Sequence, residues 1–129
     1  MKNVVSRVIV EIIGAPKEHV DSVVEQVVDS LKDRDGVKLL TSKTFEPAET
    51  ENKLWSGFCE MEIQTSTISK LMDFCFDFMP SSVEILHPTE TEMKAMDVQN
   101  LMNDMLGRLH HYNTIIKTLH AENTHLKSK

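Results

Sequence analysis

The chain has 129 residues, 40% of them hydrophobic and 26% charged, and a formal net charge of −6 at pH 7. That length suits one ordinary domain with an appended element. An acidic chain repels phosphate backbones and anionic headgroups, so neither nucleic-acid binding nor membrane binding is expected.

The N-terminal apolar run is interrupted by Ser6, Arg7 and Glu11, which is wrong for a signal peptide or a membrane span. No other stretch is long and apolar enough to cross a bilayer, and a cytoplasmic protein is expected. Cys59 and Cys75 form no CxxC pair and sit among apolar residues, so both read as reduced, buried thiols. The eight methionines read first as packing.

In chain order, Val4 to Ile13 is rich in β-branched residues and reads as a strand. Val8, Val10 and Ile12 make an apolar core face; Arg7, Ile9, Glu11 and Ile13 make a mixed one. Pro16 suits the first turn of a helix. Val20, Val23, Val24, Val27, Val28 and Leu31 then recur at helical spacing, and Gly36 is the expected C-terminal cap. Val37 to Phe45 reads as a second strand. Residues 46–52 read as an acidic, mobile hairpin loop, and Leu54 to Gln64 as a third strand. Thr67 is placed to cap a helix running to about Met79, with Ile68, Leu71, Met72, Cys75 and Met79 on its apolar face and Phe74, Phe76 and Phe78 widening it. Ser82 to Leu86 is a short fourth strand. Thr89 and Glu92 then match a capping box that opens a long final helix.

The order strand–helix–strand–strand–helix–strand predicts an α+β fold. Its head is a ferredoxin-like βαββαβ four-stranded antiparallel sheet over residues 1–88, followed by a long C-terminal helix over residues 89–129. Right-handed crossovers make the first and third strands central neighbours and put both short helices on one face. Ile9, Ile13 and Phe58 then lie on the open face with Glu11, Glu60 and Glu62. Two readings of that patch compete: it is covered by the long helix or a second protomer, or it binds a ligand. RNA-recognition motifs share the strand order and stack bases on central-strand aromatics. Only Phe58 is placed for that here, among glutamates, and no basic Gly-aromatic run occurs.

The long helix carries a heptad seam of Met102, Met105, Leu109, Tyr112, Ile116, Leu119, Asn123 and Leu126, which predicts dimerisation. With Asn123 at an a position, a parallel in-register pair lets the two Asn side chains meet. The same alignment puts Glu122 opposite Lys127 of the partner and Leu101 opposite Leu106. Gly107 sits mid-helix, so a break there, giving a helical hairpin, is an open alternative; four-helix assembly is another.

Chemical sites are harder to read. The six histidines show no shared helix face and no zinc-finger spacing. Asp73 and Asp77 share a helix face at i,i+4 and read as a solvated acidic face. Cys75 lies between them, and negative neighbours raise a thiol's pKa. No GxSxG, HExxH, P-loop or GxGxxG occurs.

The chain order and the Gly14-Ala15-Pro16 turn resemble an ACT domain over roughly Val4 to Pro88. That resemblance implies amino-acid binding at a protomer interface; Gly14 also reads simply as a strand terminator. The segment Met79 to Ile85 (Met-Pro-Ser-Ser-Val-Glu-Ile) with the Leu-rich C-terminal helix resembles a family of small uncharacterised archaeal proteins, which implies no activity. The expectation is a non-enzymatic homodimer, or a tetramer, joined through the C-terminal helix. It would hold no cofactor or metal and present its surfaces to an unidentified protein. The alternatives are an ACT-like module sensing an amino acid or nucleotide at the head–head interface, and an enzyme using the acidic face with a divalent metal.

Overall fold

The computed structural model describes residues 3–128. They form two units, a sheet-based head that ends at Thr91 and a helical unit that begins at Glu92. The head contains β1 (Val4–Gly14), α1 (Lys17–Lys32), β2 (Val37–Thr44), β3 (Ala48–Glu49), β4 (Trp55–Thr65), α2 (Ile68–Phe78) and β5 (Ser82–His87). The second unit contains α3 (Ala95–Lys127).

All strand pairings are antiparallel, in the order β2-β4-β1-β5, with β3 also pairing β4. The two central strands run in unbroken register from Val4↔Thr65 to Gly14↔Trp55. Because a strand alternates faces with period two, Val4, Ser6, Val8 and Val10 are all buried on one side of β1. Their neighbours Cys59, Met61, Ile63 and Thr65 are buried on the same side of β4. Full burial of an aliphatic side chain such as Val8 contributes roughly 1.5–3 kcal/mol before entropy is counted.

α1 covers that face with Val20, Val24, Val28 and Leu31 buried and Val27 packed at the margin. Valine is a mediocre helix former, so this helix depends on the sheet beneath it. Pro16 is its extended N-cap residue, just outside the first turn. The expected cap at Gly36 is corrected: α1 ends at Lys32 with Asp33 as its cap residue. Gly36, at φ +80°, instead supplies the left-handed step of the turn into β2, where a Cβ is strained.

In α2 the Thr67 side chain accepts a hydrogen bond from the Lys70 backbone N–H at 3.1 Å. The apolar face is as expected except at Met79. Leu71 and Phe74 are buried, and Phe74 stacks on Phe78 with ring centroids 4.8 Å apart. Met79 is outside the core, a left-handed cap residue that is 67% exposed.

The four-stranded sheet is corrected to five strands, and the reason lies in Pro47. β2 runs along β4 as far as Thr44↔Cys59, and Phe45 N–H still bonds the Phe58 carbonyl at 3.0 Å. Pro47 has no N–H to continue the ladder. Pairing resumes at Ala48↔Ser56 and Glu49↔Trp55 as β3. The segment read as a mobile loop is therefore pinned: Pro47 is buried, Glu46 pairs with Lys17 at 2.7 Å, and Thr50 closes the turn with two hydrogen bonds to the Leu54 carbonyl.

α3 is one continuous helix of 33 residues, so the hairpin break at Gly107 does not occur. A lone glycine costs only about 1 kcal/mol relative to alanine, too little to divide a helix of this length. The capping box is also corrected. Residues 89–94 are not helical, and the cap residue is Lys94, with no side-chain hydrogen bond. No described helix is long and apolar enough to cross a membrane.

Candidate functional site

Two surfaces stand out, one on each unit. The first is the sheet face opposite α1. Successive cross-strand rows can be read from the register. One row is Thr41, Glu62, Arg7 and Glu84; the next is Lys43, Glu60, Ile9 and Ser82. Arg7 is the hub: its guanidinium lies 3.2 Å from Glu60, 3.5 Å from Glu62 and 3.2 Å from Glu84. One arginine thus holds three carboxylates from two flanking strands, using the planar fork of donors that lysine lacks. Glu11, one row further on, accepts a hydrogen bond from the Ser56 hydroxyl at 2.9 Å.

The apolar part of this face lies toward the other end of the central strands. Ile13 is 58% exposed and Phe58 37%, whereas Ile9 is half-buried. Phe45 continues the register beside Phe58 and is exposed, and the Lys43 ammonium stands 4.9 Å from its ring centroid. The three patch residues expected from sequence therefore share one face. The sequence places Arg7 on this face but does not point to Glu84 or Phe45 beside it. The alternation of β1 puts Arg7 on this face, but its partners depend on the register of β5.

The second surface is α3, of which no residue is buried. Met102, Met105, Leu109, Tyr112, Ile116, Leu119, Asn123 and Leu126 all lie on this helix, seven of them exposed and Met105 half-buried. The helix still includes the heptad before Met102, where the same spacing puts Ala95 at a and Val98 at d. Gly107 falls at f, the position furthest from the seam, and a side chain there would meet nothing within 4 Å. The b, c and f positions are polar throughout, apart from Met96, Gly107 and Ala121. Four of the six histidines are on α3; His110 and His111 occupy b and c, outside the seam.

The remaining reactive groups lie in the head. Cys59 is buried and Cys75 half-buried, both as free thiols, and burial pushes both pKa values up. For Cys75 the direction is the one expected from its acidic neighbours, but the cause is burial; Asp77 is ion-paired with Arg34. The Arg34 guanidinium also stands 5.2 Å from the Phe78 ring centroid. Among the described residues no group of three or more His, Cys, Asp or Glu is placed to hold a metal ion. A shallow groove of about 280 Å³, lined by residues such as Val37, Lys38 and Gln64 at one end of β2 and β4, contains no acid–base pair. The Ser6 hydroxyl is buried without a partner among the described residues, on the core side of β1.

A head built on an antiparallel sheet with a charged open face, followed by one long helix with a heptad seam, defines the class: an α+β protein of two units. The chain belongs to the MJ0538 family, whose model matches residues 6–127. The family is uncharacterised, and its name derives from Methanocaldococcus. The match runs through both units, so head and helix together are the family's shared body. No curated protein and no solved structure matches the chain significantly.

Proposed function

We propose that the protein is a non-enzymatic, cytoplasmic homodimeric interaction module, a ferredoxin-like head carried on a dimerising C-terminal helix. The observation that carries this reading is α3 itself. It presents an apolar stripe from Ala95 to Leu126 with no residue buried, opposite a polar face. Ile116 is 63% exposed and Leu126 68%. An isolated helix gains little stability in water from its own backbone, and a stripe of this length exposes more apolar surface than a lone chain tolerates. A second copy of the same stripe covers it by knobs-into-holes packing. The strand order β2-β4-β1-β5, with both helices against one face, supports the ferredoxin-like description of the head.

In this reading the open face of the head, with Ile13, Phe45 and Phe58 beside the Arg7 cluster, is what the dimer offers to another protein. Light scattering at micromolar concentration tests the dimer. Twice the 14.7 kDa chain mass is expected, and truncation before Gly107 should shift the assembly toward monomer. A monomer for the full chain sinks the proposal.

A further inference from the structure

We infer that two copies of α3 associate in parallel and in register, so that both chains enter the helix pair from the same end. This rests on the dimer reading above and adds its direction. In a parallel pair each g residue faces the partner's e residue five positions later. On α3 those pairs are Leu101 with Leu106, Arg108 with Asn113, Ile115 with His120, and Glu122 with Lys127. The first is apolar on both sides, the last attractive in charge, and no pair sets like charges together. Asn123 meets its own copy across the seam, where the two amides satisfy one another.

The antiparallel pair fails at the same residues. At full overlap of the 33-residue helix, each a residue faces a d residue of the other copy, and g faces g. Asn123 then faces Val98, leaving a polar amide against an apolar side chain inside the seam. Glu122 faces Leu101, and Arg108 faces Ile115. The Asn123 amide thus loses the partner it finds in the parallel seam, and Glu122 loses the facing charge of Lys127. Ile116 at a with Leu119 at d is also the pairing that favours a two-stranded parallel coil over higher assemblies.

The test is disulfide trapping in the full chain. One sample is Asn123→Cys alone; the other is an equimolar mixture of Val98→Cys and Asn123→Cys. Both are oxidised mildly and mapped by peptide mass spectrometry, with the unsubstituted chain as control for Cys59 and Cys75. Light scattering is run on the same samples. A parallel in-register pair gives a disulfide joining the two copies of position 123 in the first sample, and no link between 98 and 123 in the second. In the antiparallel pair the two copies of position 123 stand roughly 37 Å apart along the axis, and the 98–123 link forms instead. That link overturns the inference, as does a dimer that forms neither. A monomer by light scattering overturns the dimer reading itself.

Discussion

A methyl of Val20 lies 2.8 Å from the point where a Cβ on Gly57 would stand. A methyl of Val24 is 3.1 Å from the same point, and Pro47 closes the third side at 3.7 Å. Gly57 therefore lets α1 and the β2–β3 connection close onto the central strand together. Overpacking of this kind costs about 1–3 kcal/mol, so Gly57→Ala should lower stability by that much in urea denaturation. Gly14→Ala is the contrast. Its Cβ meets only Val20, at an ordinary 3.7 Å, so the change should be neutral or stabilise by about 0.4–1 kcal/mol. Equal losses at the two glycines would refute the packing account.

Removing the hub of the open face should matter beyond the loss of one ion pair. Arg7→Gln leaves Glu60, Glu62 and Glu84 close together with no cation between them. The groups are partly exposed, with side-chain exposures of 33–62%, so solvent weakens each contact. A net loss of about 1 kcal/mol is expected, larger at low salt and reduced at high salt. Arg7→Lys should recover only part of it, since an ammonium cannot bridge three carboxylates as a fork does. A loss independent of ionic strength would show that Arg7 acts through packing instead.

The Lys17–Glu46 pair gives a pH signature. The hydrogen bond from Lys17, with its charge, holds the Glu46 carboxyl below the usual range, and the same bond holds the Lys17 ammonium above its own. A lowered carboxyl contributes stability that is present above its unfolded pKa and lost as pH falls through the folded one. A raised amine contributes stability that is present below its unfolded pKa and lost as pH rises through the folded value. The stability difference between the natural chain and Lys17→Met should therefore be flat through neutrality and shrink in acid and in strong alkali. Chemical denaturation across that range measures it; a difference that grows in acid contradicts the pairing.

On α3, Gly107→Ala fills open space at a position facing away from the seam. It should raise helix stability by about 1 kcal/mol without changing the oligomer. Asn123→Leu should raise the thermal midpoint of the assembly while loosening register or oligomer number, because a buried polar residue at a gives up stability for specificity. Calorimetry and light scattering together check both. A lower midpoint for Asn123→Leu would mean that position 123 is not inside the seam.

Local pattern made much of this fold legible. The alternation Val8-Val10-Ile12 marks the core side of β1, and the valine spacing marks the buried face of α1. Features that depend on a distant partner were not legible. β3 is two residues long and becomes a strand only because Ser56 and Trp55 lie opposite. Arg7 becomes a hub only once β5 brings Glu84 alongside. The start of α3 was misplaced because Thr89 and Glu92 satisfy a local pattern worth about 1 kcal/mol, and the chain leaves it unused. Ala95 and Val98 lie inside the expected helix as well, one heptad before Met102, where the apolar spacing is first regular enough to read.

The irregularity in β2 has a consequence for the protein as a solute. Between Leu39 and Thr41 the register with β4 slips by one residue at Leu40, and such a bulge twists an outer strand away from new pairing. Lys38 and Lys43 lie on the same strand, Pro47 interrupts its continuation, and the opposite border of the sheet is only the six residues of β5. Neither border offers a long, flat template. Chains held close together at high local concentration can thus keep their sheets separate, resisting the runaway strand addition that leads to fibrils.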